Sequence, residues 1–429
     1  MLLLKNGLLV DPSQNICEKM DILIANSKVV ELGKDIKASP DIKVIDVNEK
    51  IVAPGFIDMH VHLREPGFEH KETILSGCRA AARGGFTGIA CMPNTNPVAD
   101  TEGVIELILA RAKRYDLVEV YPIASITKGQ EGKELTEFAI LHECGAIALS
   151  EDGHSVRNSG VMRRALDYAK MLDLLIISHC EDEELAGSGV MHEGLISTQL
   201  GLAGIPREVE DIIIDRDIRL AELTKGRIHI AHVSTKSGVE LIRAAKKRGV
   251  KVTAEVTPHH FSLTDAAVKG YCTNTKVNPP LRTEEDVYAL IQGLQDGTID
   301  CIATDHAPHA REEKDVEFDY APYGISGLET AVPLAWQNLY LAGHLSMLDL
   351  VKTFTTTPAK ILGIDRGTVQ AGKNADITVI DPELTQKVKR ETFYSLGKNT
   401  PFQDWELTGW PILTIKAGKI VMEKGEVNE

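Results

Sequence analysis

Short apolar runs recur through the middle of the chain, each closed by polar residues and followed by a longer amphipathic stretch. They are FIDMHVH (56–62), FTGIACM (86–92), VEVYPIA (118–124), AIALS (146–150), LLIISH (174–179), RIHIAHV (227–233), VKVTAEV (250–256) and DCIAT (300–304). Runs this short, rich in β-branched residues and without helical spacing, predict strands. Between them, ETILSGCRAAARGG, GVIELILARAKRY, SGVELIRAAKKRG and EEDVYALIQGLQDG repeat apolar positions at three- and four-residue intervals, which predicts helices. Eight strands alternating with helices predict parallel βα units. That count favours a closed (β/α)8 TIM-type barrel over the alternative, a doubly wound open sheet.

The two ends have a different texture. Residues 1–54 and 365–429 read as β-like runs, those of the N-terminal end cut by turn signals at Asn6-Gly7, Asp11-Pro12 and Asn26-Ser27. Neither end is long enough to stand alone. One small β-sandwich domain assembled from both termini is therefore expected, flanking a barrel over 55–364. The alternative is two separate β decorations.

In a (β/α)8 barrel the active site lies at the C-terminal ends of the strands. The first run ends in His60-Val61-His62, and the fourth in Ser150-Glu151-Asp152-Gly153. The fifth ends in Ser178-His179-Cys180, the sixth in Ala231-His232-Val233, and the eighth in Thr304-Asp305-His306. Scattered core histidines would not share one placement, so this set predicts a metal centre. Residues i and i+2 of a strand point the same way, which lets His60 and His62 grip one ion. With no thiolate cluster nearby, the donors suit zinc or manganese in a catalytic site with an open position. Four histidines and two aspartates exceed one tetrahedral shell. Two ions fit better: His60, His62 and Asp305 on one, His179 and His232 on the other, Asp152 between them. A single ion with spare histidines around it is the alternative. Asp58, reading on the same face as His60 and His62, is expected to orient a ligand or to pair within the barrel. His259, His260 and His306 are expected to hydrogen-bond around the centre rather than ligate.

A formal net charge of -15 argues against binding to nucleic acid or anionic membrane, which needs a basic patch. No G-x-G-x-x-G or P-loop signature follows any strand. Seven cysteines scattered without a C-x-x-C pair read as reduced thiols, and the apolar N-terminus is too short for a signal peptide, so the cytoplasm is expected. The stretch 309–327, HAREEKDVEFDYAPYGISG, is charged, aperiodic and long; it reads either as a mobile cover that closes over substrate or as a solvated surface loop.

Taken together, GFIDMHVHLREPG, MPNTNP, SEDG, SHCED, AHVST, TPHHF, NPPLR, TDHAPH and GISGLET resemble the amidohydrolase superfamily. Within it the chain looks like class I bacterial dihydroorotases, over essentially its whole length. The resemblance implies reversible cyclisation of N-carbamoyl-L-aspartate to L-dihydroorotate in pyrimidine synthesis, through a metal-activated water. It implies two divalent metal ions, zinc foremost, on His60, His62, Asp152, His179, His232 and Asp305. Many superfamily members bridge the ions with a carboxylated lysine after the fourth strand. No lysine lies between Lys133 and Lys170 here. Of the two carboxylates at that place, Glu151 and Asp152, the resemblance selects Asp152. Asp305 would be the general acid and base. Arg64 offers a rigid fork for a substrate carboxylate, shared on resemblance with Asn94 and His309. His62, Asn278 and the backbone at Tyr323-Gly324 complete the implied substrate contacts. A homodimer, and association with aspartate transcarbamoylase as in some relatives, also follow from the resemblance. The rivals are another cyclic amidohydrolase, of the allantoinase or dihydropyrimidinase kind, and an inactive homologue retained as an assembly partner.

Overall fold

The computed structural model describes residues 1–428. Eight parallel strands form the centre: β1 (Phe56–Val61), β2 (Phe86–Cys91), β3 (Glu119–Ser125), β4 (Ala148–Ser150), β5 (Leu175–Ser178), β6 (Ile228–Ile230), β7 (Val252–Val256) and β8 (Cys301–Ile302). They are hydrogen-bonded in that order, each to the next. Each lies within, or overlaps by all but one residue, an apolar run expected to be a strand. β1 and β2 are buried along their whole length, as strands covered on both faces must be.

The barrel closes between β1 and the segment following β8. His62 N–H donates to His306 C=O at 2.8 Å, and Val61 bridges His306 in parallel. Asp58 completes this seam, accepting the backbone N–H of His60 (3.0 Å) and of Thr304 (3.1 Å). Burial pushes its carboxyl up to about 7, against those hydrogen bonds. Of its two expected roles, pairing within the barrel is the one these contacts describe.

The simple alternation read for 55–67 breaks inside β1. Its pairing with β2 shifts register between Asp58 and Val61. Ile57 and Met59 pack in an inner apolar cluster with Ala90, Ala148, Ile177 and Ala303 from other parts of the barrel. Val61 and Leu63 instead pack with Phe56 and Ile74 in the layer between strands and helices. An irregularity of one residue reverses which face a side chain takes, so Asp58 does not simply continue the row of His60 and His62.

The termini share one nine-stranded sheet. Ile51–Pro54 pairs antiparallel with Ile377–Lys387, Val52 opposite Val379, and this contact joins the N-terminal strands to the C-terminal ones. Leu4, Leu9, Ile22, Val52, Ile377 and Ile415 form its apolar core. Asn26-Ser27 is a hairpin turn, as expected. Asn6-Gly7 is not: it is an irregularity within the single strand Leu2–Asp11, with Asn6 at φ 65°. Asn-Gly tolerates positive φ in a bulge as readily as in a turn, which is why the dipeptide misleads.

The segment 309–327 packs onto the barrel mouth. Phe318 and Ala321 are buried, and two lysines pin its backbone. Lys276 Nζ donates to the carbonyls of Phe318 and Asp319, each at 2.9 Å, and Lys314 Nζ to Pro322 C=O at 2.7 Å. Its two ends are anchored at the barrel mouth, while Glu312, Val316, Glu317 and Tyr320 between them are exposed.

Candidate metal centre and substrate pocket

All six expected ligands are brought together at the C-terminal end of the barrel. Asp152 Oδ1 lies 3.2 Å from His60 Nε2 and 3.7 Å from both His179 Nδ1 and His232 Nε2. Its Oδ2 is 3.4 Å from His62 Nε2. Asp305 Oδ1 is 3.0 Å from His62 Nε2 and 3.6 Å from His60 Nε2. His179 Nδ1 and His232 Nε2 face each other at 2.9 Å. His60, His62 and Asp305 form one group whose donor atoms lie within 4.8 Å; His60, Asp152 and His232 form a second.

Whether a cation fits this cluster is tested by its orphaned atoms. His60 Nε2 and Asp152 Oδ1 are buried with no hydrogen-bond partner, although only 3.2 Å apart. An unsatisfied buried polar atom costs about 1–3 kcal/mol, so two adjacent ones aimed past each other mark a place for an ion. Imidazole nitrogens with carboxylate oxygens are the donor set of a divalent transition metal. The residues fit. Burial alone would push Asp152 up, but the flanking His60, His232 and His62 outweigh it and hold it well below the usual carboxylate range. Conversely, burial opposes charge on His60, yet Asp152 and Glu255 raise its pKa well above the ordinary imidazole value. Glu151 points elsewhere: its carboxylate accepts Thr127 N–H at 3.0 Å and Ser125 Oγ–H at 3.2 Å.

Sequence reasoning missed the groups that hold the ligands. His60 Nδ1 meets Glu255 Oε1 at 2.7 Å, and the other Glu255 oxygen meets His229 Nε2 at 3.1 Å. A carboxylate behind a ligating imidazole fixes its tautomer and raises its basicity. Glu255 and His229 are fully buried in β7 and β6, and a charged residue inside an apolar strand was the available signal. These two and Cys301 also cluster within 4.8 Å, but burial holds that thiol well above its ordinary pKa and the other two are already paired. His179 Nε2 meets Glu181 Oε2 at 3.1 Å, and His62 Nδ1 meets Asn94 Oδ1 at 2.9 Å.

The other histidines are not among these grouped donors. His260 donates through Nε2 to Pro279 C=O at 2.9 Å, beside Asn278. His306 Nδ1 accepts Gly327 N–H at 3.1 Å while Nε2 meets Glu72 at 3.2 Å. His259 is buried, its pKa pushed down to about 4, with Nε2 unpartnered. Cys180 lies against Ser178, a buried thiol with its pKa well raised by burial.

A cavity of about 250 Å³ opens over the cluster. His62, Asp152, His179, His232 and Asp305 form its floor; Arg64, Asn94, Asn278, His309, Tyr323 and Gly324 form its walls. Arg64 Nε donates to Pro308 C=O at 3.3 Å, and its guanidinium lies 3.4 Å from His309 Nε2 in the cavity wall. His309 Nε2 donates to Tyr323 C=O at 2.8 Å; burial and the nearby Arg64 push this imidazole down to about 2, so it is neutral. Gly324, at φ 141°, has no room for a side chain: a Cβ would sit 2.5 Å from Ala307 O. Arg64, His232 and Asp305 have φ of 62°, 34° and 46°. Left-handed backbone at three non-glycine residues of one site is strain that the surrounding packing must hold.

Asn399 is the second omission. Its amide donates to Ala307 C=O and Gly324 C=O, both at 3.0 Å, and accepts His309 N–H and Ser326 Oγ–H, both at 2.9 Å. All the hydrogen-bonding capacity of one side chain is spent tying the two loops that carry His309 and Gly324. Nothing in GKNTPF distinguishes it from an ordinary turn.

A parallel barrel with this donor set beneath a small cavity defines an enzyme of the amidohydrolase superfamily, and the Amidohydrolase family matches residues 325–422. Within that class the chain belongs to the dihydroorotase family. The Dihydro-orotase-like family matches residues 49–238. The chain is 56% identical over 422 residues to the dihydroorotase of Pelotomaculum thermopropionicum, covering 98% of each. It is 54% identical over 423 residues to that of Geobacter metallireducens, covering 99% of this chain and 100% of the other. Among solved structures, L-hydantoinase (dihydropyrimidinase) from Arthrobacter aurescens aligns with a TM-score of 0.90 at 28% identity, covering 100% of this chain and 97% of that one. D-hydantoinase (dihydropyrimidinase) from Thermus sp. gives 0.86 at 26%, covering 100% and 96%.

Proposed function

We propose that the chain is a dihydroorotase: it interconverts N-carbamoyl-L-aspartate and L-dihydroorotate, with loss or gain of water, in pyrimidine synthesis. The observation that carries this reading is Arg64, set with Asn94 and His309 in the wall of a cavity whose floor is the metal cluster. A carboxylate-bearing cyclic amide uses both halves; a hydantoin or dihydrouracil, lacking the carboxylate, leaves the arginine's charge without a counter-charge.

His60, His62, Asp152, His179, His232 and Asp305 would hold two divalent ions, zinc foremost, with Asp152 shared. Bound there, such ions supply Lewis acidity at the attacked carbonyl and water of lowered pKa. The protein's own groups do the rest. Arg64, Asn94 and His309 bind and orient the carboxylate; Asn278 and the Tyr323-Gly324 segment meet the ring. Asp305 takes the proton of the attacking water and delivers it to the ring nitrogen, and in the synthetic direction it deprotonates the carbamoyl nitrogen. The anchored segment 309–327 excludes solvent from one side. The working unit is read as barrel 55–364 with a β-domain of 1–54 and 365–429, a cytoplasmic homodimer able to associate with aspartate transcarbamoylase. Among the described residues no helix is long and apolar enough to cross a membrane.

Steady-state assays with dihydroorotate, dihydrouracil, hydantoin and allantoin test the substrate. Dihydroorotate is expected to dominate kcat/KM, and preference for any of the others overturns the reading. Arg64→Lys isolates the fork, since lysine at φ 62° is no more strained than arginine. It is expected to raise KM for dihydroorotate about 10–100-fold, the worth of a charge-assisted bidentate contact, with metal content unchanged. Gly324→Ala should also raise KM, because the loop must retreat from Ala307; an unchanged KM would mean this wall does not touch substrate.

A further inference from the structure

Two asparagines face the cavity, and the metal centre dictates which end of each amide is on offer. His62 presents Nε2 to the cluster, so its Nδ1 carries hydrogen and must meet an acceptor. That acceptor is Asn94 Oδ1, at 2.9 Å, and Asn94 is left with its NH2 for the cavity. The second asparagine is set the other way. His179 presents Nδ1 to the cluster, so its Nε2–H donates to Glu181 Oε2 at 3.1 Å. The same oxygen accepts from Asn278 Nδ2 at 2.9 Å. A carboxylate only accepts, so one N–H of Asn278 is committed to Glu181, and the amide oxygen, turned away from that carboxylate, is left to accept from a ligand.

We propose that Glu181 is a positioning residue that couples metal ligation to substrate recognition: one carboxylate oxygen fixes His179 and turns Asn278 to accept an N–H of the substrate. This rests on the dihydroorotase reading. The cavity then has opposite polarity on its two walls. Arg64 and Asn94 donate, and suit a carboxylate. Asn278 accepts, and suits an amide N–H of the ring or of the carbamoyl group. A ligand with the carboxylate but with that N–H blocked by methylation fits one wall only.

The test is a cycle of Glu181→Gln and Asn278→Asp in the metal-loaded enzyme, read by KM, kcat and retention of zinc against a competing chelator. Glu181→Gln should weaken zinc retention about 10–100-fold, because a neutral amide replaces the charged acceptor behind His179, and raise KM, because the amide N–H introduced there opposes the N–H of Asn278. Asn278→Asp should raise KM alone, because two carboxylates then face each other. In the double variant the chain of hydrogen bonds can run again. His179 Nε2–H donates to the amide oxygen introduced at position 181, and the amide N–H there donates to the carboxylate introduced at position 278. The KM of the double variant is expected to fall below that of either single variant, a rescue that damage to packing would not give. Unchanged zinc retention and KM in Glu181→Gln, or a double variant worse than both singles, overturns the proposal. If the wild-type enzyme fails to open dihydroorotate, the substrate reading fails, while the effect of Glu181→Gln on zinc retention still judges this one.

Discussion

Asp305→Asn is expected to lower turnover of dihydroorotate and of N-carbamoyl-L-aspartate alike, by about 10²–10⁴-fold, the usual worth of a positioned acid and base. Asparagine is the right replacement. It fills the same volume and tolerates the left-handed φ of 46° that this position imposes, so the loss is chemical rather than structural. Without a cation, burial acts to raise the pKa of Asp305, but the hydrogen bond from His62 and the neighbouring imidazoles bring it down to about 2. The positive charge of bound ions would keep the carboxylate ionised in their place. It is ready to receive a proton, and once protonated it is acidic enough to pass that proton on to a leaving nitrogen. Rates in both directions, with metal analysis of the same preparation, check this. A metal-replete Asp305→Asn enzyme turning over near the wild-type rate would show that another group moves the proton.

Stripping the metal should be as damaging. About two equivalents of divalent ion per chain are expected to be released by a chelator, with complete loss of activity and recovery on adding zinc. The fold should lose stability too, since a ligand present at 1,000 times its dissociation constant contributes about 4 kcal/mol. The pH dependence has a definite sign. Without a cation, burial acts to lower the pKa values of His60 and His179, but the carboxylates beside them overcome it and raise both above the ordinary imidazole value. A raised folded-state pKa stabilises the metal-free chain at low pH, and that contribution is lost as pH rises through it. Ligation needs the unprotonated rings. Metal affinity should therefore rise with pH, protons should be released on binding, and the gain in Tm on adding zinc should be larger at pH 8 than at pH 6. Calorimetry in buffers of different ionisation enthalpy measures the protons. A gain in Tm that shrinks as pH rises, or a metal content of zero, would remove the metal from the mechanism.

Much of the site was legible because a (β/α)8 barrel sends the ends of its strands to one place. Once eight apolar runs are recognised, His60, His62, Asp152, His179, His232 and Asp305 are neighbours by topology alone. The groups that make them work as a site were not legible. Glu255 meets His60 across 195 positions, Glu181 meets Asn278 across 97, and Asn399 meets Ala307 across 92. Each joins elements whose separation no local period reports, and only Glu255, a charge inside an apolar strand, carried a local signal.

The sequence by itself determined the strand count, the end at which chemistry collects, and the donor types, because hydrophobic period and residue identity are local properties. Residue type alone left Glu151 and Asp152 open; the resemblance selected Asp152, and the tertiary structure turns that carboxylate, not Glu151, to the imidazoles. It also decided the anchoring of 309–327 at the barrel mouth, the register break in β1, and the hydrogen-bond partner each asparagine meets. Those depend on which single hydrogen-bond partner each polar group finds, and the partner is supplied by a different part of the chain.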